Sequence, residues 1–275
     1  MSALLALLCA GLWGASDFTG GQVTKRFTAI RVLAVSQLIA LIAGVLIALV
    51  SGQTHLTMRI VVGGIGGGIA GYIGMVCLYT GLATGRMGVV SPISSLGAAI
   101  PVVYALITGT HISHGKILGC GLALLGAFLT SGPEFSQKFD LRPLLLAFGA
   151  ALSFGISILF MAHGSKDSAF LTMVMMRFAT MPFNIGLIAK NKGFGGFGRR
   201  DVPLLVFIGL ADFAANITLG YATHIGSMPL AVVLGNLYPV CTAILAFTIL
   251  HERLHRAQYF GALSAIAGVA IITAL

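Results

Sequence analysis

Two aspartates, Asp17 and Asp212, are the residues whose type and surroundings most clearly predict chemistry in this chain. Both lie in apolar stretches, where burying a charge is costly enough to predict a functional role. A buried carboxylate can bind a cationic group or load and release a proton. Paired with a second carboxylate, it can activate water for hydrolysis. Asp212 is the stronger candidate because it lies near the middle of its stretch, whereas Lys25 follows Asp17 closely.

The hydrolytic interpretation finds partial support in the residues before Asp212. Gly209-Leu210-Ala211-Asp212 comes close to the Gly-x-Gly-Asp pattern of intramembrane aspartyl proteases, but Ala211 replaces the second glycine. Ser16, rather than tyrosine, precedes Asp17. Since no Ser-His-Asp arrangement or metal-ligand cluster offers another reaction, we expect no catalytic activity, no cofactor and no metal. A protease-like enzyme stays open as an alternative.

Other polar residues recur at helical spacing, so that pairs of them share one helix face. Trp13 and Asp17 form such a pair, and Tyr72 and Tyr79 lie two turns apart. We expect these faces to line one aqueous cavity that binds a small molecule. The predicted binding residues are Trp13, Ser16, Asp17, Tyr72, Tyr79, Ser94, Ser95, Ser153, Ser157, Asp212, Asn216, Asn236 and Tyr238.

Arg177 is the candidate partner of Asp212, as a coupling pair or as a structural salt bridge. Proton coupling is one use of such a carboxylate, because an apolar site favours its protonated form. Prolines within apolar stretches predict helix kinks that free backbone carbonyls. These are Pro92, Pro101, Pro229 and Pro239.

The elements that position these residues follow from composition. The chain has 275 residues, of which 57% are hydrophobic and 8% charged, and this composition predicts an integral membrane protein. Apolar runs of about 20 residues can cross the hydrocarbon core as helices. We predict ten of them, at residues 2–22, 29–50, 60–83, 87–109, 115–131, 141–162, 169–189, 202–223, 227–250 and 257–274. The net charge of +9 is scattered over loops, so we expect no nucleic-acid partner.

The sequence also contains an internal repeat. At an offset of 138, Leu96-Gly97 and Pro101-Val102 meet Leu234-Gly235 and Pro239-Val240. At 141, Gly14, Ser16 and Lys25 meet Gly155, Ser157 and Lys166, and at 142, Gly119, Ala123 and Gly126 meet Gly261, Ala265 and Gly268. Each copy holds five predicted helices, so the second must enter the membrane from the opposite side. Residues 1–136 and 137–275 are therefore predicted to be two inverted five-helix repeats.

The order of these features resembles the drug/metabolite transporter superfamily, EamA type. The resemblance rests on Leu-Trp-Gly-Ala-Ser at residues 12–16, on the Gly-Pro-punctuated fourth and ninth helices, and on His251-Glu252-Arg253 after the ninth. One departure is the missing glutamate at the end of the fourth helix, where His111 and His114 lie instead.

This resemblance implies a permease, often an exporter, of amino acids or similar metabolites in the cell membrane. It also implies a central cavity lined mainly by the first, third, fourth, sixth, eighth and ninth helices. The expected partners are a small solute, the lipid bilayer and a proton as coupling ion. The oligomeric state stays open, and a non-transporting membrane scaffold or receptor is the second alternative.

Overall fold

A computed structural model describes residues 1–84, 93–130, 141–190, 196–249 and 256–274. Helices make up 89% of these residues, and the described ranges contain no β-strand. The helices are α1 (Ser2–Thr24), α2 (Ala29–Ser51), α3 (Met58–Thr84), α4 (Ala99–Ile107), α5 (His114–Thr130), α6 (Leu141–Lys190), α7 (Val202–Ile225), α8 (Met228–Gly235), α9 (Tyr238–Ile249) and α10 (Arg256–Ala274). A 3₁₀ turn at Leu96–Ala98 precedes α4.

The predicted all-α membrane fold is confirmed, but a count of ten spans is not. Seven helical stretches in the described ranges are long and apolar enough to cross a membrane, and Ile93–Ile107 and His114–Thr130 are shorter apolar helices. α6 covers two predicted spans, because only Ser168 leaves the helical conformation between them, at φ −159° and ψ 113°. This residue divides α6 into a first arm (residues 141–167) and a second arm (residues 169–190).

The outward surface of the bundle is apolar. Large side chains such as Leu8, Ile47, Phe148 and Phe260 are exposed there. A surface of this kind suits hydrocarbon rather than water. Because lipid tails are as apolar as leucine, close packing of small residues and hydrogen bonds must hold such helices together.

Small residues bring α5 and α10 together. A Cβ on Gly126 would lie 2.7 Å from Ala265 Cα, and one on Gly268 would lie 2.9 Å from Ala123 Cα. The partners run in opposite directions along the two helices. These are residues that the repeat equates at an offset of 142, and each copy contacts the other reciprocally. Reciprocal contact is the mark of a two-fold axis between equivalent surfaces.

A second pair of contacts obeys the same relation. Ser16 Oγ donates to the Ile208 carbonyl at 3.1 Å, and Ser157 Oγ donates to the Gly67 carbonyl at 2.6 Å. Both the two serines and the two acceptors are separated by an offset of 141. Each half of the chain therefore makes the same hydrogen bond to the other half.

We expect Ser16→Ala and Ser157→Ala to lower stability by similar, small amounts. Hydrogen bonds between membrane helices average about 0.6 kcal/mol, and distant, independent sites add. The double variant should therefore lose about the sum of the two single effects. Thermal unfolding in detergent measures all three, and a severalfold difference between the single variants would contradict the two-fold relation.

The glycine-rich face of α3 lies against both arms of α6. A Cβ on Gly63 would lie 2.7 Å from Gly164 on the first arm. One on Gly68 would lie 3.0 Å from Ala179 Cβ on the second arm. These glycines therefore let α3 pack closely against its neighbours, in the manner of small-xxx-small interfaces.

Ion pairs join the two halves at both ends of α2. Just before α2, Arg26 Nη2 lies 2.8 Å from Asp201 Oδ1. Beyond its other end, Arg59 Nη1 lies 2.5 Å from Asp167 Oδ1, and Thr57 also donates to this carboxylate. Both arginines are well exposed, but the Asp201 carboxylate is buried. Only the Arg59–Asp167 pair is therefore a surface ion pair, which contributes little to stability.

Candidate functional site

The Asp212 carboxylate accepts hydrogen bonds from three helices. Trp13 Nε1 on α1 donates to Oδ1 at 3.1 Å, and Asn216 Nδ2 on α7 donates to the same oxygen at 3.2 Å. On the second arm of α6, the Arg177 guanidinium donates to Oδ2 in an ion pair. We call Trp13, Arg177, Asp212 and Asn216 the charge cluster.

The two charges of the cluster differ in exposure. The Asp212 side chain is 32% exposed, whereas that of Arg177 is 9% exposed. Arg177 Nε is buried and has no hydrogen-bond acceptor among the described residues. A ligand can therefore approach the carboxylate, while the guanidinium is covered and held on its far side.

Local helix geometry explains how α7 and α1 position their residues of the charge cluster. Asn216 is one turn after Asp212, and its amide also donates to the Asp212 backbone carbonyl at 2.7 Å. This contact fixes the amide beside the carboxylate. On α1, Gly14 lets α9 approach closely, since a Cβ there would lie 2.5 Å from Cys241 Cβ. The approach brings Tyr238 to Trp13, with ring centroids 6.0 Å apart in an edge-to-face arrangement.

Helix breaks occur at equivalent places in the two halves. α8 ends at Gly235 and α9 begins at Tyr238, so the break lies at Asn236–Leu237. In the first half, the Leu96–Ala98 turn interrupts the helix before α4. Asn236 Nδ2 donates to the Ser95 carbonyl at 2.8 Å, so the two breaks contact each other.

Prolines account for the position of the breaks. Pro101 and Pro239 lack the N–H groups that would bond to the carbonyls of Gly97 and Gly235, four residues earlier. Pro229 does not kink a helix, contrary to the prediction, because it lies in the first turn of α8, where no intrahelical donor is needed. Pro92 lies outside the described residues.

Asp17 shares the α1 face of Trp13, opposite the lipid-facing Leu4 and Leu8. It is exposed to solvent, although protein atoms surround it and both Asp212 and Tyr238 are close enough for electrostatic interaction. From the inward face and the accessible side chain we infer that Asp17 borders a cavity between the helices. Within the described ranges, Asp17 has neither an ion pair nor a hydrogen-bond partner.

Several predicted site residues lie apart from the charge cluster. Ser16 and Ser157 bond to backbone carbonyls of neighbouring helices, and Tyr72 stacks on Phe183 with centroids 4.8 Å apart. Ser94 is buried beside the first helix break, and Ser153 is half-buried on α6. The Tyr79 side chain lies outside what the structure describes.

Sequence reasoning missed a polar stripe that continues from Arg177. Thr180 Oγ1 donates to the Arg177 carbonyl at 2.9 Å and lies 3.1 Å from Gln37 Oε1 on α2. Asn184 is 1% exposed, and its amide has no partner in the described part of the chain. Positions 177, 180 and 184 share a helix face, so their spacing was a usable signal.

No metal site emerges from the described residues. Among them, no three histidine, cysteine, aspartate or glutamate side chains lie together as a metal site would require. His251 and His255 lie outside the described ranges.

Comparison with known proteins places this geometry in a family. The model of the EamA-like transporter family matches the chain twice, over residues 1–132 and 141–274. The chain belongs to the EamA-like transporter family. The resemblance identified from the sequence is thereby confirmed, and with it a membrane transporter of small solutes.

A solved structure supports the fold of this EamA-like protein. It is described as "Crystal structure of protein", has 16% sequence identity, and aligns with a TM-score of 0.80 over 99% of this chain and 97% of that one. At this identity the likeness shows the fold alone. The comparison with curated proteins gave no match.

Proposed function

We propose that this EamA-like protein is a secondary transporter, an exporter, of small metabolites such as amino acids, and that it works by alternating access around a central cavity. The observation that carries the proposal is the charge cluster, which is assembled from α1 of the first half and α6 and α7 of the second. A binding site shared between repeats is what an inverted-repeat carrier requires.

Discontinuous helices provide the second support. At the breaks before α4 and between α8 and α9, the regular α-helical hydrogen bonding gives way to short 3₁₀-type turns inside the bundle. Such breaks are tolerated at membrane depth only where protein or a cavity surrounds them. In inverted-repeat carriers they occur at the substrate and ion sites. We propose that residues 1–136 and 137–275 are the units that rock against each other.

The closely packed glycine faces allow that motion. α3 against α6, and α5 against α10, meet through small residues without interlocking bulky side chains. Helices in such contact slide or pivot with little repacking, as shear motions require. The Arg59–Asp167 pair, whose two side chains are both accessible, is weak enough to break as the halves move.

Asp212 is the proposed site of proton coupling. Its ion pair with Arg177 holds a charge in the interior, and a proton or a cationic solute arriving at its accessible side competes with the guanidinium. We place the protein in the cell membrane, where an exporter would act.

The protease alternative finds no support in the geometry. Aspartyl proteases need two carboxylates that share a proton. Asp212 is instead bonded to Arg177, Trp13 and Asn216, and none of its hydrogen bonds in the described ranges comes from Asp17. EamA-like proteins are transporters rather than enzymes. A non-transporting scaffold would leave the accessible carboxylate unused.

Counterflow tests the proposal. Purified protein in liposomes preloaded with a pool of unlabelled metabolites should take up at least one labelled solute against its gradient, because a loaded carrier exchanges faster than an empty one returns. The panel includes amino acids and is run at several pH values. Protein-free liposomes are the control, and no counterflow of any solute at any pH would contradict the transporter.

A further inference from the structure

The charges around the cavity do not cancel. Asp17 and Asp212 are both carboxylates, while Arg177 is the one guanidinium that contacts either of them in the described ranges. Arg177 is paired with Asp212, so Asp17 has no counter-charge within the part of the chain that the structure describes. An unpaired carboxylate in the interior of a membrane protein is costly and predicts a cationic partner.

Aromatic rings stand beside this carboxylate. Trp13 lies one helical turn from Asp17 on the same face of α1, and Tyr238 meets Trp13 edge to face at 6.0 Å. Tyr238 is also within electrostatic range of Asp17. Ring faces attract organic cations, with tryptophan the strongest, so a carboxylate flanked by Trp and Tyr suits a protonated amine with an apolar body.

The cluster offers no equivalent place for a carboxylate of the solute. Arg177 is 8% exposed, and its charge is already neutralised by Asp212. A second carboxylate would have to displace Asp212 or lie beside two negative charges. The Nε–H group of Arg177 has no acceptor among the described residues, but it is buried, so a bulky anion cannot reach it.

We propose that Asp17 is the ammonium-binding residue of this cavity and that the preferred solutes are organic monoamines that carry no carboxylate. This specificity rests on the proposed transport function, and among small metabolites it favours amines without a carboxylate over amino acids. Trp13 and Tyr238 flank the bound cation, and Asp212 with Arg177 remains a paired unit beside it.

Binding to the purified full-length protein tests the specificity separately from transport. Trp13 is the single tryptophan of the chain, so its fluorescence reports on the cavity. It is excited at the red edge of its absorption, where phenyl compounds do not absorb. The matched probes are 2-phenylethylamine, phenylalanine and 3-phenylpropionate, which share the ring and differ in their charged groups.

The amine should bind at least about tenfold more tightly than phenylalanine, which corresponds to about 1.4 kcal/mol, and 3-phenylpropionate should not bind. Asp17→Asn should weaken amine binding at least about tenfold, and Asp17→Glu should retain it. Asp167→Asn is the matched control, since it removes one carboxylate from a peripheral ion pair. It should leave all affinities unchanged.

Three outcomes would overturn the proposal: no binding of the amine, equal or tighter binding of phenylalanine, or unchanged amine affinity in Asp17→Asn. The first two need only the wild-type protein, so they stand even if the variant fails to fold. Binding of the amine without counterflow would contradict the transporter and leave the specificity intact. Counterflow of zwitterions with no preference for amines would support the transporter and contradict the specificity.

Discussion

Asp212→Asn is expected to abolish counterflow while leaving the yield of folded protein within about twofold of wild type. Flux should fall by at least about 30-fold, the effect of losing about 2 kcal/mol from a desolvated charge pair. Asparagine keeps the volume of aspartate, and its one carbonyl oxygen still accepts from Arg177, while its NH2 group takes the place of the oxygen that accepts from Trp13 and Asn216. What is lost is the charge on which binding and coupling depend.

Counterflow and size-exclusion chromatography on the same preparation measure the two effects. Asp167→Asn makes the same chemical change in an exposed ion pair at the end of the bundle, and it should change neither flux nor yield. If Asp212→Asn loses folded protein in proportion to flux, the Arg177–Asp212 pair is structural and its role in transport is wrong.

Gly126→Leu is expected to cause the largest loss of stability. A Cβ at this position would meet the α10 backbone, 2.7 Å from Ala265 Cα, which has no flexible end to move aside. Overpacking against backbone should cost about 3 kcal/mol or more. For a chain of this size that lowers the midpoint of thermal unfolding by roughly 10 °C.

Gly121→Leu is the matched control on the same helix, because nothing lies within 4 Å of a Cβ at Gly121, and the position is exposed. Its unfolding temperature should stay within about 2 °C of wild type, as for other surface positions. Equal tolerance of leucine at both glycines would contradict the α5–α10 interface and the two-fold relation drawn from it.

The fold was largely predictable because membrane helices can be recognised in a sequence by their length and apolar composition. The ends of α1, α2 and α10 lie within two residues of the predicted bounds. The repeat predicted more than helix positions. Gly126 and Gly268, which an offset of 142 equates, contact Ala265 and Ala123, which the same offset equates, as a two-fold axis between the helices requires.

What hydropathy could not predict was the local breaks. Ser168 leaves the helix as a single residue between two apolar arms, and a window of about 19 residues averages it away. The break between α8 and α9 lies inside a continuous apolar run. Only Pro239 signalled it, and Pro229, ten residues earlier, gave the same signal at a helix start.

The charged residues of the candidate site were predictable from the sequence. Arg177 and Asp212 stood out because few charged residues lie in apolar spans, and such residues pair with one another. The contact of Trp13 with Asp212 depends on how α1 crosses α7, which sequence spacing does not encode. The same holds for the bond from Asn236 to the Ser95 carbonyl.

Comparison of the two repeats also explains why the Arg177–Asp212 ion pair lies in one half. At the offset of 141 that relates the two serine hydrogen bonds, Gly71 corresponds to Asp212 and Ser36 to Arg177. The first half therefore lacks the ion pair at the equivalent place. The two repeats have similar helix arrangements, and the residues that differ between them form the ion pair of the proposed site.

Access to the charge cluster from both sides of the membrane tests alternating access most directly. Asn216→Cys is placed in a chain whose four native cysteines are replaced, and a membrane-impermeant maleimide is added to either face of sealed vesicles. Gly121→Cys, on the exposed side of α5, is the control and should react from neither face. If access alternates, Asn216→Cys reacts from both faces and a bound solute slows both reactions. Labelling from one face only, with or without solute, would contradict alternating access.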